Sequence, residues 1–370
     1  MPRSPNVRAR PGQALAPADT AEQSVTNSEI SELLAIEAES ASQPLQRAFR
    51  RASRKALLWT EEASQIYRER RSLTELPGIG PYLEKIILRW LERPPLVPTP
   101  PDSRQNFLTW TQAHSILQKA SSWSHSVKGD LQMHSLWSDG SGSIQEMAEV
   151  GDALGYEYIA ITDHSKGLKI AGGINEDQLQ QQSIEIQNVN DAFGAAGRTI
   201  RVLRSVELNL SPAGDGDMTD ESLQRLDLVL GCFHSALRKK DDQTERYIAA
   251  LRNPSIQILG HPRGRIYNFR LGLKADWPHV FAVAAELDKA VEIDSYPDRQ
   301  DLSLDLIVLA RKAGCRISIG TEYHGPSQLR FIQFGRAAAR RSGIDRSRIL
   351  NFMTRHELAH WVQTVRNGQR

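Results

Sequence analysis

Ten histidines are spread unevenly along this sequence of 370 residues. Five of them, His134, His164, His234, His261 and His324, stand where an apolar run ends in polar residues, with Asp139, Asp163, Glu207, Asp294 and Glu322 at the same kind of position. The other five, His114, His125, His279, His356 and His360, fall in stretches that read as helices or linkers. Imidazoles and carboxylates delivered together to strand ends are ligands for divalent ions. Such ions lower the pKa of a water and neutralise a leaving oxygen, which is the chemistry of phosphoester hydrolysis. No Gly-rich nucleotide motif and no Ser-His-Asp arrangement competes with that reading. Arg238, Lys239, Lys240, Arg263, Arg265 and Arg299 follow ligand ends and are candidates to grip phosphate oxygens, the arginines in bidentate fashion.

The first of these ends, Gly129 to Gly140, sets the pattern: a strand stops at His134, and Gly140 lets the short loop carrying Asp139 turn sharply. Further runs lead from Ile159 to His164, Ile200 to Glu207, Leu228 to His234, Ile256 to His261, Val291 to Asp294, and Ile317 to Glu322 and His324. Helical stretches separate them, at 143–154, 176–192, 242–251, 277–290 and 303–313. Strand and helix alternating in this way predict a parallel α/β sheet. In an open sheet only ends near a switch point would meet, whereas in a barrel all converge on one face. Seven ligand-bearing ends favour closure.

The rest of the sequence sets limits. With 40% hydrophobic residues the chain can bury a large core, and a net charge of +2 demands no polyanionic partner for the molecule as a whole. Cys232 and Cys315 are too few for a disulfide framework and lack the paired spacing of a thiolate zinc site, so a cytoplasmic setting is expected. No apolar run approaches the roughly 18 residues of a membrane span. Residues 1–26 read as a disordered arm. A helix capped at Asn27 or Ser28 follows, then two helical stretches carrying Arg47, Arg50, Arg51, Arg54, Lys55, Arg68, Arg70 and Arg71. Gly78 and Gly80 permit a tight turn between helices, with Ile79 as a plug, and the backbone N–H groups beyond it suit a phosphate. A stiff Pro-rich connector begins at Pro94 and leads into a predicted helix over 103–120, and a tail is expected from residue 363.

These motifs carry two resemblances. Residues 27–95, with Leu-Pro-Gly-Ile-Gly at 76–80, resemble the helix-hairpin-helix, lyase-like domain of family X DNA polymerases. That resemblance makes Gly78, Ile79, Gly80 and Lys85 DNA-contacting residues and places Lys85 where such domains carry a Schiff-base lysine. Residues 127–362 resemble the PHP domain, the polymerase and histidinol phosphatase family, of the type appended to bacterial family X polymerases. The matching motifs are Asp-Leu-Gln-Met-His-Ser at 130–135, Ile-Thr-Asp-His-Ser at 161–165, Val-Glu at 206–207, Phe-His-Ser at 233–235, Gly-His-Pro at 260–262 and Ile-Gly-Thr-Glu-Tyr-His at 319–324. The 96–126 linker has no room for a polymerase's catalytic domain, so polymerase activity is not expected.

The resemblance implies a distorted seven-stranded (β/α) barrel preceded by a small all-α domain, with up to three metal ions, Zn or Mn, at the strand C-termini. Carried over, Glu207, His234 and His261 hold one ion, Asp139, His164 and His324 a second, and His134 with Glu207 a third. Catalysis would rest on Asp139, His164, Glu207 and His324. Gln132 stands where the family has His and Glu322 where it has Asp. Both fall on the third ion, leaving two complete sites. The expected function is a metal-dependent phosphoesterase acting on DNA ends or repair intermediates, with DNA bound without sequence preference. The alternatives are a phosphatase for a phosphorylated small molecule, and a DNA-binding accessory with an inactive barrel. No membrane partner is expected, and oligomeric state is not legible.

Overall fold

The computed structural model describes residues 24–119, 123 and 127–368. The expected N-terminal arm lies, up to residue 23, outside the described residues. Five helices come first: α1 (Asn27–Ser40), α2 (Gln43–Ala56), α3 (Ala63–Arg68), α4 (Pro81–Glu92) and α5 (Trp110–Gln118). Strands and helices then alternate: β1 (Gly129–Met133), α6 (Ile144–Ala153), β2 (Tyr158–Ile161), α7 (Glu176–Ala195), β3 (Arg201–Arg204), β4 (Glu207–Asn209), α8 (Asp220–Gln224) and β5 (Leu230–Cys232). After them come α9 (Thr244–Arg252), β6 (Ile258–Leu259), α10 (Trp277–Glu286), β7 (Ala290–Asp294), α11 (Leu304–Ala313), β8 (Arg316–Gly320), α12 (Ile332–Arg341) and α13 (Arg355–Asn367).

All strand pairs are parallel, in a three-stranded sheet β1-β2-β3 and a five-stranded sheet running from β4 to β8 in chain order. Only Ser205 and Val206 separate β3 from β4, and a bridge from His164 to Glu207 links the end of β2 to the start of β4. On the far side the His134 N–H donates to the Tyr323 carbonyl at 2.8 Å, and Asp130 accepts from the Thr321 hydroxyl at 2.6 Å, tying β1 to the residues after β8. Side chains alternate along each strand. Ile159, Ile161, Val202, Val291, Ile293, Ile317 and Ile319 point outward into the helix-covered cores. Gln132, His164, Glu207, His234, Glu292 and Glu322 share the other parity, which is the inner face. Beneath it, Leu358, Trp361, Val362 and Val365 of α13 pack on Tyr158, Leu230, Ile258 and Ala290 near the strand N-termini. The expected tail is therefore corrected, because buried Val365 holds the helix on as far as Asn367.

The helical module has its own core, with Ile30, Leu34, Phe49, Trp59, Ile66, Leu73 and Ile87 buried together. Its first helix is capped by Thr26 in a reciprocal box with Glu29, and not by Asn27 or Ser28. The Asn27 side chain is engaged elsewhere, donating to the Glu61 carbonyl and accepting from the Ala63 N–H. The turn before α4 is as expected: Gly78 is left-handed at φ +88, Ile79 is buried, and Gly80 caps a helix with Pro81 in its first turn. The predicted 103–120 helix shortens to α5, since Asn106 turns left-handed at φ +59 and Thr109 forms a capping box with Gln112. The residues thus released include Arg104, which clamps module to sheet by pairing with Glu32 at 2.8 Å, Glu39 at 2.9 Å and Asn268 at 2.9 Å. The Tyr267 hydroxyl reaches Ser31 and Ser53 at 2.9 and 3.1 Å to complete the joint.

Candidate metal centre

The strand C-termini bring eight of the nine expected ligands into groups whose donor atoms lie within 4.8 Å of one another, and Gln132 joins them through Glu207. Glu207, fully buried at the head of β4, is the junction. Its Oε1 lies 2.7 Å from His234 Nε2 and 2.8 Å from His261 Nε2, and its Oε2 lies 3.2 Å from His134 Nε2 and 3.7 Å from His164 Nδ1. Asp139 gathers a second group on the solvent side. Its Oδ1 stands 3.3 Å from His324 Nε2, 3.5 Å from His164 Nε2 and 4.0 Å from His134 Nδ1. The rings of His164 and His324 stack on either side of His134, with centroids 4.3 and 4.5 Å away.

Both ring nitrogens of His134 and Nδ1 of His164 are buried without a hydrogen-bond partner. Buried imidazole nitrogens left bare are costly in a folded protein and fit a bound cation, so the donor set suits divalent ions. Burial alone would raise the Glu207 carboxyl, but the surrounding imidazoles hold it well below the usual carboxylate range. Asp139 resists burial in the same way and is pulled down to about 2 by His324, His164 and His134. Both carboxylates therefore stay ionised at neutral pH.

Neighbours set the orientation. Asn209 Oδ1 meets His234 Nδ1 at 3.1 Å, and the Glu322 carbonyl meets His324 Nδ1 at 2.6 Å, leaving Nε2 of each ring for the centre. Asp163 organises the loop after β1, accepting from the Ser135 N–H at 2.8 Å, the Ser135 hydroxyl at 2.5 Å and Gln182 at 2.7 Å. Gly140 lets that loop close. A Cβ there would sit 2.1 Å from the His134 carbonyl oxygen.

The two departures behave differently from plain ligands. Gln132 donates its amide N–H to Glu207 Oε2 at 3.0 Å, and Glu322, left-handed at φ +50, is held by Arg299 at 2.5 Å while its Oε2 has no partner. Arg299 also lies 3.8 Å from Asp294. Among the expected phosphate grips, Arg238 is exposed over the Phe269 ring at 5.0 Å, and Arg263 is half-buried with Nε unpartnered. Arg265 is committed elsewhere: it is buried, donates to the Gln105 carbonyl at 3.0 Å and lies 3.7 Å over Phe107. Lys85 is exposed on α4, in the helical module.

Two residues escaped the sequence reading. Cys232 joins Glu207 and His261 in one ligand group, although its spacing fits no thiolate motif. Glu292, buried below them, accepts from the His261 N–H at 2.6 Å, and burial pushes its carboxyl up to about 8. The period of a strand is the signal that could have found both, since Cys232 lies two before His234 and Glu292 two before Asp294.

A centre of histidines and carboxylates at the C-terminal ends of parallel strands defines a class, the metal-dependent hydrolases, and likeness to known proteins narrows it. No family model matches the chain. It is 36% identical over 226 residues to "DNA polymerase/3'-5' exonuclease PolX" of Bacillus subtilis, covering 61% of this chain and 39% of that protein's length. It is 30% identical over 205 residues to a probable phosphatase of Acetivibrio thermocellus, covering 53% of this chain and 78% of that protein. A solved histidinol phosphate phosphatase of Lactococcus lactis, complexed with zinc, L-histidinol and phosphate, superposes with a TM-score of 0.42 at 17% identity, over 59% of this chain and 94% of that one. The chain belongs to the PHP (polymerase and histidinol phosphatase) family.

Proposed function

We propose that the chain hydrolyses phosphoesters of nucleic acid, at DNA 3′ ends or repair intermediates, using divalent ions held by Asp139, His164 and His324 and by Glu207, His234 and His261. The observation that carries this reading is Glu207, a fully buried, ionised carboxylate with imidazoles on both oxygens. Divalent zinc or manganese in such a site supplies activation of water and neutralisation of charge on phosphate and leaving oxygens. The protein's contribution is position. Asn209 and the Glu322 carbonyl fix the His234 and His324 rings, Asp163 and Gly140 hold the Asp139 loop, and Arg238 and Arg263, which follow His234 and His261 in the sequence, are the cations offered to phosphate oxygens.

Two of the three sites suit an ion best, although His134, Glu207 and Glu322 of the third also stand within 4.8 Å of one another. Gln132 covers Glu207 Oε2 with an N–H, and the Arg299 guanidinium sits against Glu322 as a fixed positive charge. The ties from β1 to the residues after β8, with β3 and β4 counted as one strand, support a distorted seven-stranded barrel. The helical turn at Gly78–Gly80 supports a helix-hairpin-helix that binds DNA without sequence preference, with Lys85 beside it.

Nucleic acid is favoured by the 36% identity to a protein named as a polymerase and 3'-5' exonuclease. A small phosphomonoester is the second reading, favoured by a relative named a probable phosphatase that aligns over 78% of its length. Incubation with Mn²⁺ or Zn²⁺ on single-stranded DNA beside nitrophenyl phosphate separates them. The expected result is shortening of DNA from its 3′ end. Hydrolysis of nitrophenyl phosphate alone would favour the second reading, and no hydrolysis with any metal would mean an inactive barrel.

A further inference from the structure

A cavity of about 440 Å³ lies between α2 and the loop that follows β7. Arg47, Arg50, Arg51, Arg54 and Lys55 line one wall, at i, i+3, i+4, i+7 and i+8 of a single helical face. The other face of α2, with Phe49, Ala52 and Ala56, is buried in the core of the module. Packing thus fixes which way the cations point. Tyr296 and Asp298 form the facing wall, with Phe331 edge-on to Tyr296 at 5.6 Å between centroids.

Among the described residues none of the five cations has an ion-pair partner or a side-chain hydrogen bond, although Asp298 feels the charge of Arg54. Other arginines of the same region are neutralised. Arg71 pairs with Glu61, Glu69 and Glu75, and Arg104 with Glu32 and Glu39. Five like charges on one helical face repel one another, a cost that a polyanion laid along them would reverse.

The wall continues at both ends. A Cβ on Gly78 would sit 3.3 Å from Lys55 Cγ, so the cations run on to the Gly78–Gly80 turn. At the other end Tyr296, Pro297 and Asp298 lead directly into Arg299, whose guanidinium holds Glu322 of the metal centre at 2.5 Å.

We propose that this cleft is a track for one single strand of nucleic acid, with phosphates along the α2 cations and an end delivered past Arg299 to the metal centre. It rests on the phosphoesterase reading above. A cleft of about 440 Å³ is on the scale of a small-ligand pocket, which suits one or two nucleotides of a single strand at a time. The half-buried Tyr296 ring offers a stacking surface beside the charges, the pairing found in grooves that hold single strands. In this arrangement the joint made by Arg104 and Tyr267 sets the track at a fixed place against the metal centre.

The test uses the full, metal-loaded chain and a fluorescein-labelled, phosphorothioate-linked oligothymidylate that resists cleavage, with binding followed by anisotropy as salt rises. Arg51→Glu with Arg54→Glu alters two exposed side chains, and circular dichroism with thermal unfolding, beside bound metal per chain, reports that both module and sheets stay folded. The double variant should bind the strand roughly tenfold or more weakly, with a salt slope shallower by about 1.4, and raise the KM for a cleavable oligonucleotide by a similar factor. Should the reversal variant fail to fold, Arg51→Gln with Arg54→Gln should still shift affinity and slope in the same direction. Unchanged affinity and slope, or duplex bound as tightly as the single strand, would overturn the track. Strand binding lost in the variant, with no hydrolysis by the parent at any metal, would sustain the track and sink the phosphoesterase reading. Hydrolysis by the parent with variant binding unchanged would do the reverse.

Discussion

Four imidazoles share the two oxygens of Glu207, which makes it the side chain the centre can least replace. Glu207→Gln keeps the shape and removes the charge. It should lower bound metal and hydrolysis together, hydrolysis by more than roughly 100-fold, as metal analysis beside a rate assay will show. Gln132 and Glu322 give the opposite test. Gln132→His with Glu322→Asp replaces a capping N–H by an imidazole and withdraws the carboxylate from Arg299, so the double variant should retain one more ion per chain after dialysis. No gain in metal would mean that these two residues are not what limits the third site. The five histidines and Glu207 were legible because each closes an apolar run with a ligand type. Cys232 and Glu292 were not, because they sit inside runs and look like core until the alternation is counted across neighbouring strands. Arg265 and Arg299 were legible as charges but not as partners, since those partners are remote in sequence or fixed only by the fold.

At the level of elements, the site depends on how closely one loop approaches one strand. Gly140→Ala forces a Cβ to 2.1 Å from the His134 carbonyl oxygen, backbone that cannot yield as a side chain would. The loop must shift, taking Asp139 with it, and metal affinity should fall with a stability loss of about 1–3 kcal/mol, readable by urea unfolding with and without metal. At the far end of the strands, Lys289 is fully buried before β7 with one partner, the Asn253 carbonyl at 2.5 Å. Burial pulls its ammonium down from an ordinary value of 10.5 to about 7. Between those values the unfolded chain keeps a proton that the folded chain has released, so stability should rise with pH across that window. Lys289→Met should flatten the rise and be the more stable protein near neutral pH, and urea midpoints measured from about pH 7 to about pH 10 check it. A parent whose stability falls over that range would refute the assignment. Helix positions were largely legible from apolar spacing, as in the helices near 143–154, 176–192 and 303–313. Ends decided by caps and buried partners, such as Thr26 for α1 and Val365 in α13, were less so.

In the whole molecule, the placement of the helical module against the sheets rests on contacts far apart in sequence. Arg104 pairs with Glu32 across a buried joint, and Tyr267 reaches Ser31 and Ser53. Nothing local in the sequence encodes those pairs, so two folding regions were legible while their fixed arrangement was not. Arg104→Ala leaves Glu32 buried without its cation and should destabilise the chain by roughly 3–5 kcal/mol. Module and sheets should then unfold in separate steps, which calorimetry will detect, and a single unchanged transition would count against the joint. The metal centre is tested most directly by one measurement: zinc or manganese titrated into the metal-stripped chain while hydrolysis of a single-stranded oligonucleotide and bound metal are followed together. Activity should be absent without metal and reach its plateau as about two ions bind per chain. Full activity in the stripped protein, or filled sites with no hydrolysis of any phosphoester, would contradict it.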